Sequence, residues 1–389
     1  MFVEVHILQS FVPSNLNRDD TGSPKDCEFG GTRRARISSQ CLKRAIRRNP
    51  VFAATTGQPL ADRTRQLSAA IQERITELGD HELVTRVADN IALGWIDGRV
   101  EPKSRGLNKG RLLKLDDRRR IPAQLYVSKA ELATMAELIR EHWSALVGEK
   151  AQAAKARSRV IATILKQYPV TTGAPDLALF GRMMASRPEL GRNAACQVAH
   201  ALSTHRVAME LDFYTSVDDL QPTEELGASM MGVTGYDSAC YYRYARIDWE
   251  QLLTNLEGDL ELALKTVEAF IRASHEAVPT GKQNSSAAYN PPSVVGVVVR
   301  KGGMAWNLAN AFEQAVRSEG GSGYLAPSAL ALDAYYGKLC EVYGSGQIVG
   351  AGWLNVLPTD TELAHLDAER LGSVDALCEL ARQALQKEG

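Results

Sequence analysis

The chain has 389 residues, of which 44% are hydrophobic and 23% charged. This length predicts two or three folding units, or one large unit with insertions, and the composition excludes a wholly disordered chain. The net charge of −1 conceals an asymmetry, because residues 1–200 carry +11 and residues 201–389 carry −12. Such polarity suits the binding of a polyanion by the basic part, or head-to-tail contact between copies. The plainer alternative is that the charges are spread over solvated faces.

Neither a membrane segment nor a secretion signal is visible in the sequence. No stretch of 18 apolar residues occurs, and the N-terminus lacks the basic and apolar regions of a signal peptide. The six cysteines are far apart and form no CxxC pair. This pattern favours a reducing compartment over a disulfide framework or a zinc site. We therefore expect a cytoplasmic protein that binds no membrane, metal or other cofactor.

The N-terminal part predicts a strand, a polar loop and a basic helix. Residues 2–8 alternate as in a β-strand, and residues 13–26 are dense in turn-forming residues. Ser38 is suited to be the N-cap of a helix over 40–48, which Asn49 ends because it precedes a proline.

The strongest local signal is the basic character of residues 33–48, which hold seven basic residues and no acidic one. Lys43 and Arg47 are four residues apart on the predicted helix, as are Arg44 and Arg48. Like charges at this spacing repel, so the arrangement is easier to explain if phosphates neutralise it. The helix start also offers free N–H groups to an anion. The alternative is a solvated basic helix.

Residues 60–166 show apolar residues at helical spacing and predict a helical subdomain. Within it, residues 99–120 form a connection with nine basic and three acidic residues. A basic loop interrupted by glycines can track a nucleic-acid backbone. It can also be a solvated connection between two helices.

The remaining chain mixes strands and helices without regular alternation, which is typical of an α+β fold. Residues 177–180 suit a short strand, 203–236 suit a hairpin or long loop, and 239–247 suit a strand. A buried strand is predicted at 294–299. Helices are predicted at 249–276, 305–317, 327–343 and 373–386.

Searches for catalytic motifs find no credible active site. Residues 344–350 miss the GxGxxG spacing by one residue, and the Gly281-Lys282 pair lacks the other residues of a phosphate-binding loop. His200 and His205 are five residues apart and share no helical face. Neither HExxH nor GxSxG occurs. We therefore expect no catalytic residue and no enzyme.

Aromatic and soft apolar side chains matter for a single-stranded polyanion, because bases stack on them for roughly 1–3 kcal/mol each. Met183 lies in a short segment led by a glycine. Five rings cluster around the predicted hairpin, namely Phe213, Tyr214, Tyr241, Tyr242 and Tyr244. Taken alone, each of these residues fits a place in the core better than a contact with a base.

Several segments carry a resemblance that covers nearly the whole chain. They are residues 15–20, 25–26, 29–44, 177–183, 198–201, 204–205, 212–220, 242–245, 282–283, 290–291 and 309–313. In this order they resemble the signature of the CasC family, the backbone subunit of Cascade, the type I-E CRISPR surveillance complex.

The resemblance implies a hand-like α+β fold. Its palm is similar to an RRM (ferredoxin-like) domain, its fingers are an inserted helical subdomain, and its thumb is an extended β-hairpin. The implied boundaries are 1–59, 177–202 and 239–389 for the palm, 60–176 for the fingers and 203–238 for the thumb.

The family's function implies how this chain works. Copies stack head to tail along the guide CRISPR RNA, and each thumb kinks the RNA and flips out one nucleotide at a regular interval. The intervening bases pair with target DNA in antiviral defence. The implied partners are the guide RNA, the target DNA, further copies, and the large, small, head-end and repeat-cleaving subunits. A recruited helicase-nuclease is an indirect partner.

Carried over residue by residue, the resemblance assigns RNA contacts and DNA contacts. Met183 would wedge between bases, and Tyr214 and Thr215 would lie in the thumb, where a ring is retained at Phe213 and Tyr214. The other RNA contacts would be Asn17, Arg18, Lys25, Arg34, Ser38, Ser39, Gln40, Lys43, Arg44, Arg47, Arg48 and Lys282. The finger loop would meet DNA through Lys103, Arg105, Lys109, Arg111 and Lys114.

Two alternatives stay open. Related backbone subunits of type III complexes cut RNA with an aspartate of an early loop, so Asp19, Asp20 or Asp26 could make this chain a metal-dependent endoribonuclease. The chain could also be an RNA-binding protein that acts as a monomer.

Overall fold

The structure is a computed structural model of the chain. It describes residues 1–97, 115–122, 124–148, 150–167, 173–184, 187–216, 230–318, 321, 323–358 and 361–388. Within these ranges no helix is both long and apolar enough to cross a membrane.

The chain divides into two compact units, which we call the sheet unit and the helical unit. The sheet unit comprises Met1–Thr55, Cys196–Trp249 and Leu264–Gly389. The helical unit comprises Thr56–Ala195 and Glu250–Ala263. The helical unit thus begins near residue 60, where the fingers were placed, but extends beyond residue 176.

The strands are numbered in chain order. They are β1 (Phe2–Ser14), β2 (Asp26–Phe29), β3 (Thr32–Ile37), β4 (Asp62–Thr64), β5 (Leu125–Val127), β6 (Cys196–Val198), β7 (Ala201–Ser203), β8 (Glu210–Ser216), β9 (Met230–Asp248), β10 (Val294–Arg300) and β11 (Ile348–Asn355). The helices follow the same convention. They are α1 (Ser39–Arg48), α2 (Pro50–Thr56), α3 (Leu67–Glu73), α4 (His81–Asp97), α5 (Lys129–Glu141), α6 (Trp143–Val147), α7 (Lys150–Gln167), α8 (Pro175–Phe180), α9 (Trp249–Asn255), α10 (Leu260–Glu276), α11 (Gln283–Ser286), α12 (Leu325–Tyr343) and α13 (Val374–Glu388).

The sheet unit is built on an antiparallel sheet with the strand order β11-β10-β1-β9-β7-β3-β2. Strands β6 and β8 also pair with β9. Strand β1 lies between β9 and β10, with Val5 opposite Ala245 and Val297. Because β1 is covered on both faces, all of residues 3–9 are buried. The mixed composition of helices and an antiparallel sheet confirms the predicted α+β class.

The apolar residues that recur at helical spacing in the sequence form the core of the helical unit. Leu67 and Ile71 of α3 pack in one cluster with Val87 and Ile91 of α4 and with Ile139 of α5. The unit also contains a small two-stranded antiparallel sheet, β4–β5, which the helical periodicity did not reveal.

Three predictions of secondary structure were wrong. Residues 177–180 belong to helix α8, because a short buried apolar run fits a strand or a helix equally well and Pro175 opens the helix. Residues 305–317 form no α-helix and instead contain a 3₁₀ turn, Leu308–Phe312. The predicted helix 249–276 is two helices, α9 and α10, separated where Glu257 and Gly258 adopt positive φ.

Strand β11 was missed altogether, because its glycines lower the strand propensity of the segment. It pairs with β10 over its length, and Trp353 lies opposite Gly296. A Cβ atom at Gly296 would collide with the Trp353 ring, so this glycine makes room for the indole.

Candidate nucleic-acid interface

The start of helix α1 is fixed to the early polar loop. The Ser38 hydroxyl accepts from the Cys41 N–H at 3.4 Å, which confirms Ser38 as the N-cap. The Ser38 N–H in turn donates to Asn17 Oδ1 at 2.8 Å, and the Asn17 carbonyl accepts from the Lys25 N–H at 2.9 Å. Ser38 and Asn17 therefore hold the loop against the helix start, next to the half-buried Ser39 and the exposed Gln40.

Helix α1 exposes only part of its basic residues. Arg44 and Arg48 are exposed and Lys43 is half-buried, whereas Arg47 is buried. The outward row is therefore Arg44–Arg48, and the prediction that Arg47 faces outward and contacts RNA is corrected. Hydrophobic spacing did not show this, because arginine can bury its long stem among apolar side chains.

Arg34 is a structural residue, which corrects the expectation that it contacts RNA. Its side chain is fully buried. Nη1 donates to the carbonyl oxygens of Ser203 (3.1 Å) and Thr204 (2.8 Å), and Nη2 donates to those of Phe312 (2.8 Å) and Glu313 (3.2 Å). The guanidinium thus connects β3 to two other segments of the sheet unit.

A group of cations lies beside the start of α1. Arg36 Nη1 is 3.0 Å from His200 Nδ1. Burial lowers the pKa of His200, and the charges of Arg36 and Lys25 lower it further. Burial raises the pKa of the Cys41 thiol, while the charges of Arg44 and Lys25 oppose that rise. These residues share a region of positive potential, which attracts phosphates.

A cavity of about 700 Å³ adjoins this region. Its walls come from the early loop, from α1 and from the segment that follows α10. Arg18, Arg44 and Arg48 line it together with three acidic residues and an aromatic ring. Lys282 is exposed and follows Gly281, which lines the same cavity.

One of the three acidic residues of the cavity serves its own loop. The Asp19 carboxylate accepts from the N–H and hydroxyl of Thr21 (2.9 and 2.8 Å) and from the Ser23 N–H (2.9 Å). These hydrogen bonds hold the pKa of Asp19 below its ordinary value. Asp19 therefore stays ionised and shapes the turn that carries Arg18.

The predicted hairpin is present as β8 and the first part of β9, with Tyr214 opposite Gly232 and Thr215 opposite Met231. Residues 217–229 lie outside the described residues. A Cβ atom at Gly232 would collide with the Tyr214 ring, so the ring lies over that glycine. The opposite face carries four exposed apolar side chains, namely Leu211, Phe213, Met231 and Val233. Met231 and Val233 were not predicted as site residues, although their alternation around Gly232 indicates one apolar face of a strand.

Met183 projects from the helical unit. Its side chain is 91% exposed, whereas the neighbouring Met184 is buried. Arg182 anchors the segment, because its buried guanidinium pairs with Glu131 at 3.1 Å and donates to the Tyr126 carbonyl at 2.7 Å. A cavity of about 690 Å³ lies beside Met183 within this unit.

A family model for CT1975-like proteins matches residues 3–381. The chain belongs to the CT1975-like protein family.

Solved structures are similar to this chain along its whole length. One chain of a "CRISPR RNA-guided surveillance complex, pre-nicking" is 31% identical with a TM-score of 0.83, covering 99% of this chain and 100% of that one. A chain of a second "CRISPR RNA-guided surveillance complex" is 27% identical with a TM-score of 0.74, at the same coverage. A comparison with curated proteins gives no match. The resemblance to a CRISPR surveillance-complex protein is thereby confirmed.

The predicted DNA contacts of this CT1975-like chain belong to residues 98–114. Lys103, Arg105, Lys109, Arg111 and Lys114, which were assigned to DNA, lie outside the described residues.

The acidic residues that the structure describes form no recognisable metal centre. Among the described residues, no group of three or more His, Cys, Asp and Glu side chains could hold a metal ion. Asp26, one of the three aspartates considered for a nuclease, pairs with Arg33. Asp20 lines the cavity beside Arg18.

Proposed function

We propose that this chain is the guide-RNA-binding backbone subunit of a type I-E Cascade complex. The observation that carries the proposal is the basic surface of the sheet unit, where Lys25, Arg36 and Arg44 surround the start of α1 and Arg18 and Arg48 continue into the cavity. The similarity of the whole chain to chains of CRISPR RNA-guided surveillance complexes supports the same role.

The chemistry of this surface suits the recognition of a guide. A protein that holds a guide reads the sugar-phosphate backbone, because base pairing with the target supplies the sequence specificity. Arginine and lysine side chains, together with the N–H groups of a helix start, are contacts to phosphate of this kind. The affinity should fall with salt, at a slope of about −0.7 per neutralised phosphate.

In this proposal the sheet unit supplies an RRM-like palm and the hairpin β8–β9 is the thumb. The helical unit supplies the fingers, with Met183 as a wedge between bases. Copies stack head to tail, the thumb kinks the RNA, and the bases between kinks pair with target DNA. The other Cascade subunits complete the complex.

A charge-reversal pair on α1 tests the proposal. Arg44→Glu combined with Arg48→Glu should abolish copurification of guide RNA, because it replaces two exposed cations of the phosphate surface by anions. The matched control is Lys155→Glu with Arg159→Glu, an exposed pair at the same spacing on α7. Circular dichroism would confirm that both variants are folded. Equal RNA content in the two folded variants would refute the proposed surface.

We also propose that the subunit does not cleave RNA. An assembled complex given complementary RNA and magnesium should leave that RNA intact. Cleavage at a regular spacing that is lost in Asp20→Asn would instead establish the nuclease alternative.

A further inference from the structure

The loop after α10 is held rigidly at the edge of the cavity in the sheet unit. Gln283 is buried, its Nε2 donates to the carbonyl oxygens of Pro279 (3.1 Å) and Ala288 (3.2 Å), and its Oε1 accepts from the Ala288 N–H (2.8 Å). The Gln283 side chain thus joins the backbone before α11 to the backbone after it.

The same loop stores backbone strain and packs closely on its neighbour. Lys282 and Ala287, on either side of α11, both have positive φ, which side-chain-bearing residues rarely adopt. A Cβ atom at Gly281 would collide with the Leu16 carbonyl, so the loop lies backbone to backbone against the early loop. Such strain persists where the surrounding contacts fix one conformation.

These contacts fix the position of Tyr289. Ala288, before it, is bound by Gln283. Asn290, after it, accepts at its carbonyl from Gln9 Nε2 (2.7 Å) and at Oδ1 from the Val12 N–H (3.3 Å). The Tyr289 side chain is nevertheless 68% exposed, and it lines the cavity that Arg44 and Arg48 also line. An aromatic ring is therefore presented to solvent from an anchored backbone, beside two exposed arginines.

The charges in the cavity indicate what kind of ligand it takes. Arg18, Arg44 and Arg48 are matched by Asp19, Asp20 and Glu276, so the cavity is not a site for phosphate alone. A nucleotide offers a phosphate to the arginines, a flat base to the ring, and amino or ribose hydroxyl donors to the Asp20 and Glu276 carboxylates.

We propose that this cavity is a nucleotide subsite in which Tyr289 stacks on a base of the bound RNA while Arg44 and Arg48 hold the adjacent phosphates. This inference rests on the proposed RNA-binding function. Tyr289 belongs to none of the RNA contacts that the sequence suggested.

Binding of a single-stranded RNA oligonucleotide to the RNA-free full chain tests the subsite. Tyr289→Ala should weaken binding by roughly 5- to 150-fold, the range for one lost stacking contact. Tyr289→Phe should bind as the original chain does, because it keeps the ring. Tyr343→Ala, which removes an equally exposed tyrosine from α12 outside the cavity, should also bind normally.

A second probe separates stacking from phosphate binding. An oligomer of the same length with ribose and phosphate but no bases should bind the original chain and Tyr289→Ala equally well. The salt slope of RNA binding should also be the same in both, because Tyr289 neutralises no phosphate.

The outcomes distinguish the subsite from the function on which it rests. If the original chain binds no RNA, the proposed function itself fails. If the original chain binds RNA and Tyr289→Ala binds equally well, or if Tyr289→Phe is as weak as Tyr289→Ala, the subsite is wrong and the function stands. Should Tyr289→Ala not fold, Tyr289→Trp reports directly, since RNA should quench its added fluorescence. An unchanged signal on saturation with RNA would overturn the subsite.

Discussion

Arginines that are close in sequence have different roles in this chain. Arg34 is enclosed by backbone carbonyls, whereas Arg44 and Arg48 face the cavity. The unbroken basic run indicated a phosphate-binding surface, but a run of charges cannot tell which guanidinium is enclosed. That depends on carbonyls more than 160 residues away in the chain, such as that of Ser203.

The structural role of Arg34 predicts a large effect on stability. Arg34→Met should lower the free energy of unfolding by roughly 3–5 kcal/mol, because the backbone carbonyls that it satisfies would be left buried without donors. Urea denaturation measures this. Arg33→Met, at an exposed position, should change stability by no more than about 0.5 kcal/mol. A stable Arg34→Met that fails to bind RNA would show that Arg34 contacts RNA after all.

A buried histidine predicts a pH dependence of stability. His6 is enclosed by the sheet, its Nδ1 is 2.8 Å from the Tyr242 hydroxyl, and burial followed by the charge of Arg300 lowers its pKa from 6.5 to about 3. Between these values the unfolded chain binds a proton that the folded chain does not. The free energy of unfolding should therefore fall as the pH drops below 6.5, by about 1.4 kcal/mol per pH unit from this group.

The variant His6→Gln isolates that contribution. Burial raises the pKa of the neighbouring Glu4, so acid acts on that group in the opposite sense. The pH dependence of the free energy of unfolding must therefore be compared between the original chain and the variant, because neither dependence alone isolates His6. Urea denaturation between pH 4.5 and about 6.5 should give a shallower dependence in the variant. Identical slopes in both proteins would mean that His6 takes up a proton in the folded state.

At the scale of elements, prediction succeeded where local chemistry decides the structure. The Ser38 cap, the helix that ends at Arg48 and the stripes of the helical unit follow from side chains within one or two turns. Prediction failed where the structure of a segment depends on the strand with which it pairs. Strand β11 is a strand because β10 offers it an edge, and its glycines give no local sign of that.

Tyr289 shows the same limit at the candidate site. It stands between the segments Lys282-Gln283 and Asn290-Pro291, which carry the family resemblance. This position is the feature of the sequence that could have marked Tyr289 as a candidate site residue. Nothing in the local sequence shows that the ring faces the arginines of α1. The loop contacts made by Gln283 bring it there.

The hairpin presents two chemically different faces, and this predicts a selective effect on RNA. Tyr214→Ala should expose only the kinked nucleotide to nuclease, because in the proposal the ring acts at one position. Phe213→Ala is the matched control, since Phe213 lies on the opposite face. Nuclease footprints of complexes carrying each variant measure this. Uniform loss of protection, or exposure of the kinked nucleotide in Phe213→Ala alone, would count against the role of Tyr214 at the kink.

For the whole molecule, the charge asymmetry along the chain suits an open assembly. Identical subunits that meet through two different surfaces form a filament when the rotation between them does not close a ring. Opposite net charges on residues 1–200 and 201–389 are compatible with such head-to-tail contact in the proposed assembly. Successive basic surfaces on the sheet units would then follow one strand of phosphates.

The decisive experiment is nuclease digestion of the complex purified with its own RNA, followed by sequencing of the protected fragments. We expect RNA to copurify and to be cut only at positions that recur at a constant interval, because each copy covers the same length of guide. RNA that is absent from the complex, or that is digested evenly along its length, would contradict the role of this chain as a guide-binding backbone.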